Sequence, residues 1–159
     1  MTIGDFAELD IEEEFSLVYV VFNTFFALLS QEEQVRCFEN VARHLRDEGG
    51  AFVIEVFVPD MTRWDRNQWI EARHVGNDNV VLDAARHDPA EQRVASNHLV
   101  VSEAGVKMYP MRLRYAWPSE LNLMARLAGL RLRERWGGWR REPFTASSTR
   151  HISVYEHER

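Results

Sequence analysis

The chain has 159 residues, 45% hydrophobic and 11% aromatic, which suffices for one ordinary core and argues against two separate domains. Its net charge of -6 disfavours a nucleic-acid backbone as partner, and its single cysteine, Cys37, excludes an intrachain disulfide and a cysteine-rich metal site, as in a reducing compartment. No apolar run of about 18 residues occurs, and Met1-Thr2-Ile3-Gly4-Asp5 resembles no export signal, so a cytoplasmic protein with no membrane partner is expected.

An acidic stretch up to Phe15 gives way to Leu17-Val18-Tyr19-Val20-Val21-Phe22. These β-branched and aromatic residues run without alternation, which predicts a strand buried on both faces, as in a parallel sheet. An irregular apolar segment, Asn23 to Leu29, leads to Ser30-Gln31-Glu32-Glu33, a capping box that starts a helix. Val35, Phe38, Val41, Ala42 and Leu45 form its apolar face, opposite Glu32, Arg36, Glu39 and Arg43. Cys37 falls in this pattern and is expected to pack rather than react. Gly49-Gly50 stops the helix, and Ala51 to Val58 reads as a second apolar strand closed by Pro59, completing a right-handed βαβ unit.

From Trp69 to Trp117 polar and apolar residues mix at near period two, with breaks at Gly76-Asn77-Asp78-Asn79, His87-Asp88-Pro89 and Glu103-Ala104-Gly105. The pattern predicts an antiparallel meander with strands centred near Val80, His98 and Leu113. Its His98, Tyr109, Arg112, Arg114, Tyr115 and Trp117 are candidates to line a pocket, although one face of any half-exposed sheet carries such residues. Pro118-Ser119-Glu120 opens a helix with Leu121, Met124, Leu127 and Ala128 on one face and Gly129 near its end. Leu130 to Trp136 alternates as a strand, and His151 to Tyr155 forms a last one after the loop Trp139 to Thr149. The arginines of this last third (Arg126, Arg131, Arg133, Arg135, Arg140 and Arg141) read as a solvated face. The histidines His44, His74, His87, His98, His151 and His157 show no metal-site spacing.

This order of elements resembles the second half of the seven-stranded sheet of class I S-adenosylmethionine (SAM) dependent methyltransferases, in which the final strand inserts antiparallel. Three phrases carry the resemblance further: Glu14-Phe15-Ser16-Leu17-Val18-Tyr19, Phe38-Glu39-Asn40-Val41-Ala42-Arg43-His44-Leu45, and Gly50-Ala51-Phe52-Val53-Ile54-Glu55. It implies an α/β fold, a partial Rossmann-like sheet of strands four to seven with an antiparallel β insertion after strand five. Residues 1–159 would form one partial domain, with 69–117 as a lid over the acceptor. A lid of this kind is similar to that of small-molecule methyltransferases, including those that N-methylate amino sugars. The implied activity is methyl transfer to a small-molecule nitrogen or oxygen.

The resemblance also implies site residues. Gly4-Asp5-Phe6-Ala7 is similar to the segment that meets adenine, which gives Asp5 and Phe6 as cofactor contacts. Asn23 and Thr24 match the loop after strand four, beside the methionine part of SAM. His98 or Tyr115 would accept the proton, and Tyr109, Arg112, Arg114 and Trp117 would bind the acceptor. The sequence departs from the family in lacking a Gly-x-Gly segment: its glycine pairs are Gly49-Gly50 and Gly137-Gly138. An isolated monomer is therefore expected to hold SAM weakly or not at all. The strand 17–22 would expose an edge, which leads to the expectation of a homodimer or a partner chain bound there. A non-catalytic methyltransferase-like subunit that binds a protein or small molecule is the alternative.

Overall fold

β1 (Leu17–Val20), α1 (Gln31–His44) and β2 (Ala51–Phe57) form the expected βαβ unit, with Leu17 opposite Ala51 and Val20 opposite Ile54 in parallel register. The structure, a computed structural model, describes residues 5–7 and 11–158; Gly4 and residues 8–10 of the acidic stretch lie outside them. The strand expected over Leu17 to Phe22 is shorter and more open, since Leu17 and Tyr19 are 53% and 65% exposed. β2 is the one neighbour of β1 among the described strands, and the positive φ of Phe22 (58°) and Asn23 (62°) turns the chain out of the sheet. A 3-10 helix, Thr24–Ala27, follows. Its Phe25 and Phe26 are fully buried, edge-on to Phe38 at 5.5 Å and to Phe57 at 5.0 Å.

The capping box of α1 is formed in both directions: Glu33 N–H donates to Ser30 Oγ (3.1 Å) and Ser30 N–H to Glu33 Oε2 (2.9 Å). The helix ends at His44, ahead of Gly49-Gly50, because the chain leaves it to bridge Phe15: Phe15 N–H donates to His44 O (2.7 Å) and Arg46 N–H to Phe15 O (3.0 Å). Cys37 is buried, and burial together with the Asp5 carboxylate pushes its thiol up to about 12, so it packs as an inert group. The Phe38 ring centres the core, edge-on to Phe52 at 5.3 Å and to Tyr155 at 5.4 Å. Among the described residues no helix is long and apolar enough to cross a membrane.

Asp60–Tyr115 is a unit of its own, distinct from the residues before and after it. It holds four antiparallel strands in chain order, β3 (Gln68–Val75), β4 (Asn79–Asp88), β5 (Arg93–Ser102) and β6 (Gly105–Arg114), where three were expected. The additional one, β3, pairs with β4 from Gln68 opposite Arg86 to Val75 opposite Val80. Turns fall at the three expected breaks, and Asp88 Oδ1 closes one by accepting N–H groups from Ala90 (3.1 Å) and Glu91 (3.2 Å). Partners across an antiparallel ladder share a face, so the register sorts side chains into rows. Glu71, Asp83, His98 and Tyr109 form one row; Val75, Val80, Val101 and Val106 form another on the opposite face.

In the rest of the chain α2 (Pro118–Leu127) buries Leu121, Met124 and Ala125. Leu127, expected on that face, is 72% exposed: at 100° per residue, Ala125 lies closer to the direction of Leu121. Gly129, at φ 74°, leads into β7 (Leu130–Trp136), and β8 (Arg150–His157) lies antiparallel between β2 and β7. The sheet order is β1-β2-β8-β7, the methyltransferase order the sequence implied. Arg135 ties β7 to β8 and α2 by donating to Ser153 Oγ (2.8 Å) and Asn122 Oδ1 (2.7 Å).

His151 is fully buried, with Nδ1 2.8 Å from Ser153 Oγ. Burial and then the Arg135 charge push it down to about 3. In the unfolded chain the same imidazole titrates near about 6.5, so between that pH and about 3 the unfolded state binds a proton that the fold refuses. Stability therefore falls as pH drops through this window. Urea unfolding across it should show His151→Phe losing up to about 1.4 kcal/mol per pH unit of slope; a slope equal to that of the parent chain contradicts the assignment.

Candidate functional site

Ligands of open α/β sheets bind outside the carboxyl ends of the strands, which here are Val20–Thr24 after β1 and Glu55–Phe57 at the end of β2. Glu55 is 7% exposed. Its Oε2 accepts the Phe22 N–H (3.1 Å), its Oε1 accepts the Trp139 indole N–H (3.1 Å), and the Arg150 guanidinium lies 3.6 Å from Oε1. The Glu55 carbonyl accepts the Asn23 N–H (3.3 Å), while Asn23 Oδ1 accepts the Phe57 N–H (2.8 Å). These bonds hold two consecutive non-glycine residues in the left-handed region, at about 1–2 kcal/mol for a residue without the local bonding of Asn. Backbone strain of this kind concentrates at functional sites.

The clamp presents Phe22, 83% exposed, beside the exposed Asn23 and Thr24. Phe22 and Glu55 were not among the sequence candidates. The signal for Glu55 was a lone acid in an apolar strand; Phe22 gave none, because it read as the end of β1. Asp5 sits in a turn closed by its own Oδ1, which accepts the Ala7 N–H (2.9 Å), and lies near enough to Cys37 to act on its thiol. Phe6 lies in the same turn.

In Asp60–Tyr115, taken by itself, His98 Nδ1 lies 2.8 Å from Asp83 Oδ1, and Arg73 Nε bonds Asp83 Oδ2. Burial pushes the Asp83 carboxyl up, but the bonds from Arg73 and His98 outweigh it and hold the group below the usual carboxylate range. An anionic Asp83 fixes the proton on His98 Nδ1 and leaves Nε2 as the acceptor atom. Tyr109 pairs directly with His98 across β5 and β6, ring centres 6.3 Å apart.

Tyr115 is buried, and its hydroxyl lies 2.9 Å from Nε2 of His87. His87 stacks on Trp64 at 4.7 Å, and burial lowers its pKa, so the imidazole is neutral. Arg112 and Arg114 lie on the sheet face opposite His98 and Tyr109, and Arg114 donates to Gln92 Oε1 (3.2 Å). Trp117 belongs to the other unit, as the N-cap of α2. The sequence candidates thus form no single cluster: His98 and Tyr109 are brought together, and the two arginines are set apart from them.

No protein-family model matches the chain. It is 30% identical over 155 residues to the cypemycin N-terminal methyltransferase of a Streptomyces species, spanning 98% of this chain and 63% of that protein. It superposes on the CcbJ methyltransferase of Streptomyces caelestis with a TM-score of 0.92 at 40% identity, over 99% of this chain and 63% of that one. Over that part of their length the chain is similar in sequence and in fold to SAM-dependent methyltransferases. A SAM-dependent methyltransferase from Clostridium acetobutylicum, at 11% identity, shares the fold with a TM-score of 0.82 over 99% of this chain and 64% of its own. The chain therefore spans under two thirds of the length of these methyltransferases, and the expected α/β, Rossmann-like fold class holds over that part.

The Asn23 turn makes a measurable demand on the β1-β2-β8-β7 sheet. Asn23→Ala should cost about 2 kcal/mol, from left-handed strain plus an unpaired Phe57 N–H, and Asn23→Gly about half of that. Equal losses for the two variants in urea unfolding would show that the turn is not strained.

Proposed function

We propose that this chain forms part of a SAM-dependent methyltransferase that transfers a methyl group to a nitrogen or oxygen of a small molecule. The clamped turn at the carboxyl end of β1 carries the reading, because it presents exposed Asn23 and Thr24 where the resemblance puts the methionine part of the cofactor. The similar cypemycin enzyme is by name an N-terminal methyltransferase, which favours an amine acceptor.

As the resemblance implies, we assign Asn23 and Thr24, exposed at the end of β1, to the methionine part of SAM, and Asp5 with the Phe6 N–H to its adenine edge. They do not supply the glycine-rich loop for its carboxylate end, so that contact comes from a further stretch of polypeptide or another chain. The open edge of β1 suits either, including a homodimer or partner chain paired along residues 17–22.

SAM, when bound, supplies an electrophilic methyl on a sulfonium, and the protein's share is alignment. His98, with its tautomer fixed by Asp83, is the proton acceptor we favour, and the His87-bonded Tyr115 hydroxyl the second. Tyr109, beside His98, is the acceptor contact we favour ahead of Arg112, Arg114 and Trp117.

Calorimetry with S-adenosylhomocysteine up to millimolar concentration tests the reading. Binding that Asn23→Gly weakens is expected. No heat at that concentration would overturn cofactor binding by this chain and favour a non-catalytic methyltransferase-like subunit that binds a protein or small molecule.

A further inference from the structure

His151 is fully buried, yet its Nε2 has no hydrogen-bond partner among the described residues. A buried donor or acceptor is rarely left unmet. The neighbouring bonds decide which of the two it is. Ser153 Oγ accepts the Arg135 Nε–H (2.8 Å), so the Ser153 hydrogen is the one that reaches His151 Nδ1, also at 2.8 Å. The Nδ1 lone pair thereby faces the Arg135 charge, and the ring proton sits on Nε2 as a donor. Arg135 carries a second unmet demand. It is half-buried, its bonds run to neutral oxygens of Ser153, Pro118, Asn122 and Tyr155, and its Nη1 hydrogens take part in none of them. A charge partly out of water is costly unless an opposite one meets it. The Phe144 ring lies against both groups: it is edge-on to His151 with centres 5.8 Å apart, and the Arg135 Cζ stands 5.8 Å from its centroid. A ring face attracts an N–H or a cation less than an anion does.

We propose that Arg135 and His151 form a binding site for the carboxylate of a small molecule, with the Phe144 side chain as its plug. A carboxylate is flat like the ring it displaces, and it accepts from the Nε2–H and from the guanidinium at once. A cation is repelled by Arg135, and a neutral amide leaves that charge unmet. Phe144 swings out while its loop stays pinned on both sides: Gly137 N–H donates to Glu142 O (2.7 Å), and Val58 N–H to Thr149 O (2.9 Å). The site is built from β7, β8 and the loop between them, and it does not depend on methyl transfer.

Acetate titrated into the full chain at constant ionic strength tests this, read by NMR from the His151 ring and the Phe144 and Ser153 amides. Saturable shifts in millimolar acetate are expected, with none from acetamide or methylammonium. Phe144→Ala should bind about tenfold more tightly, and His151→Gln, which keeps an N–H donor, within about threefold of the parent. Arg135→Gln and His151→Phe, each checked for folding by circular dichroism, should lose the response. No saturable shift in the parent below about 0.1 M acetate, an equal response to acetamide, no gain from Phe144→Ala, or undiminished binding by folded Arg135→Gln would overturn the inference.

Discussion

The Glu55 carboxylate is the group on which the candidate site depends. A charge this far out of water is costly unless donors surround it, and its donors come from three different segments: the Phe22 N–H after β1, the Trp139 indole in the loop after β7, and the Arg150 guanidinium at the start of β8. One acid thus joins the carboxyl end of β1 to two segments with which β1 shares no ladder. β1 pairs only with β2 among the described strands, so this clamp and the buried Phe25 and Phe26 hold its end in place. The left-handed pair Phe22 and Asn23 follows from the same bonds.

Much of the fold was legible because its signals are local. Ser30 to Glu33 fixed the start of α1, Pro118 that of α2, and the alternation of Leu130 to Trp136 gave β7 its limits. Long-range partners were less legible. Leu17 to Phe22 reads as buried on composition, yet burial depends on neighbours, and among the described strands β1 has one. β3 was missed because Glu71, Arg73 and His74 dilute the apolar signal of an exposed strand, and Phe22 because Phe has no intrinsic bias to the left-handed region. The split of the pocket candidates was readable: Tyr109 and Tyr115 sit at odd positions of β6 and its extension, Arg112 and Arg114 at even ones, and a strand sends these to opposite faces.

The two units carry different kinds of feature. The β1-β2-β8-β7 sheet carries the clamped strand-end turn of Phe22 and Asn23. The four-stranded unit has one face with an ordered polar row, Arg73 and His98 on Asp83 with Tyr109 alongside, and one face of aliphatic rows. Period-two alternation alone produces this asymmetry.

Amide hydrogen exchange on the parent chain and on Glu55→Gln, read residue by residue, tests the clamp most directly. The account predicts that the N–H groups of Phe22, Asn23 and Phe57 and the Trp139 indole lose protection in the variant, while α2, β7 and the body of β8 keep theirs. Unchanged protection at Phe22 and Asn23 would contradict it.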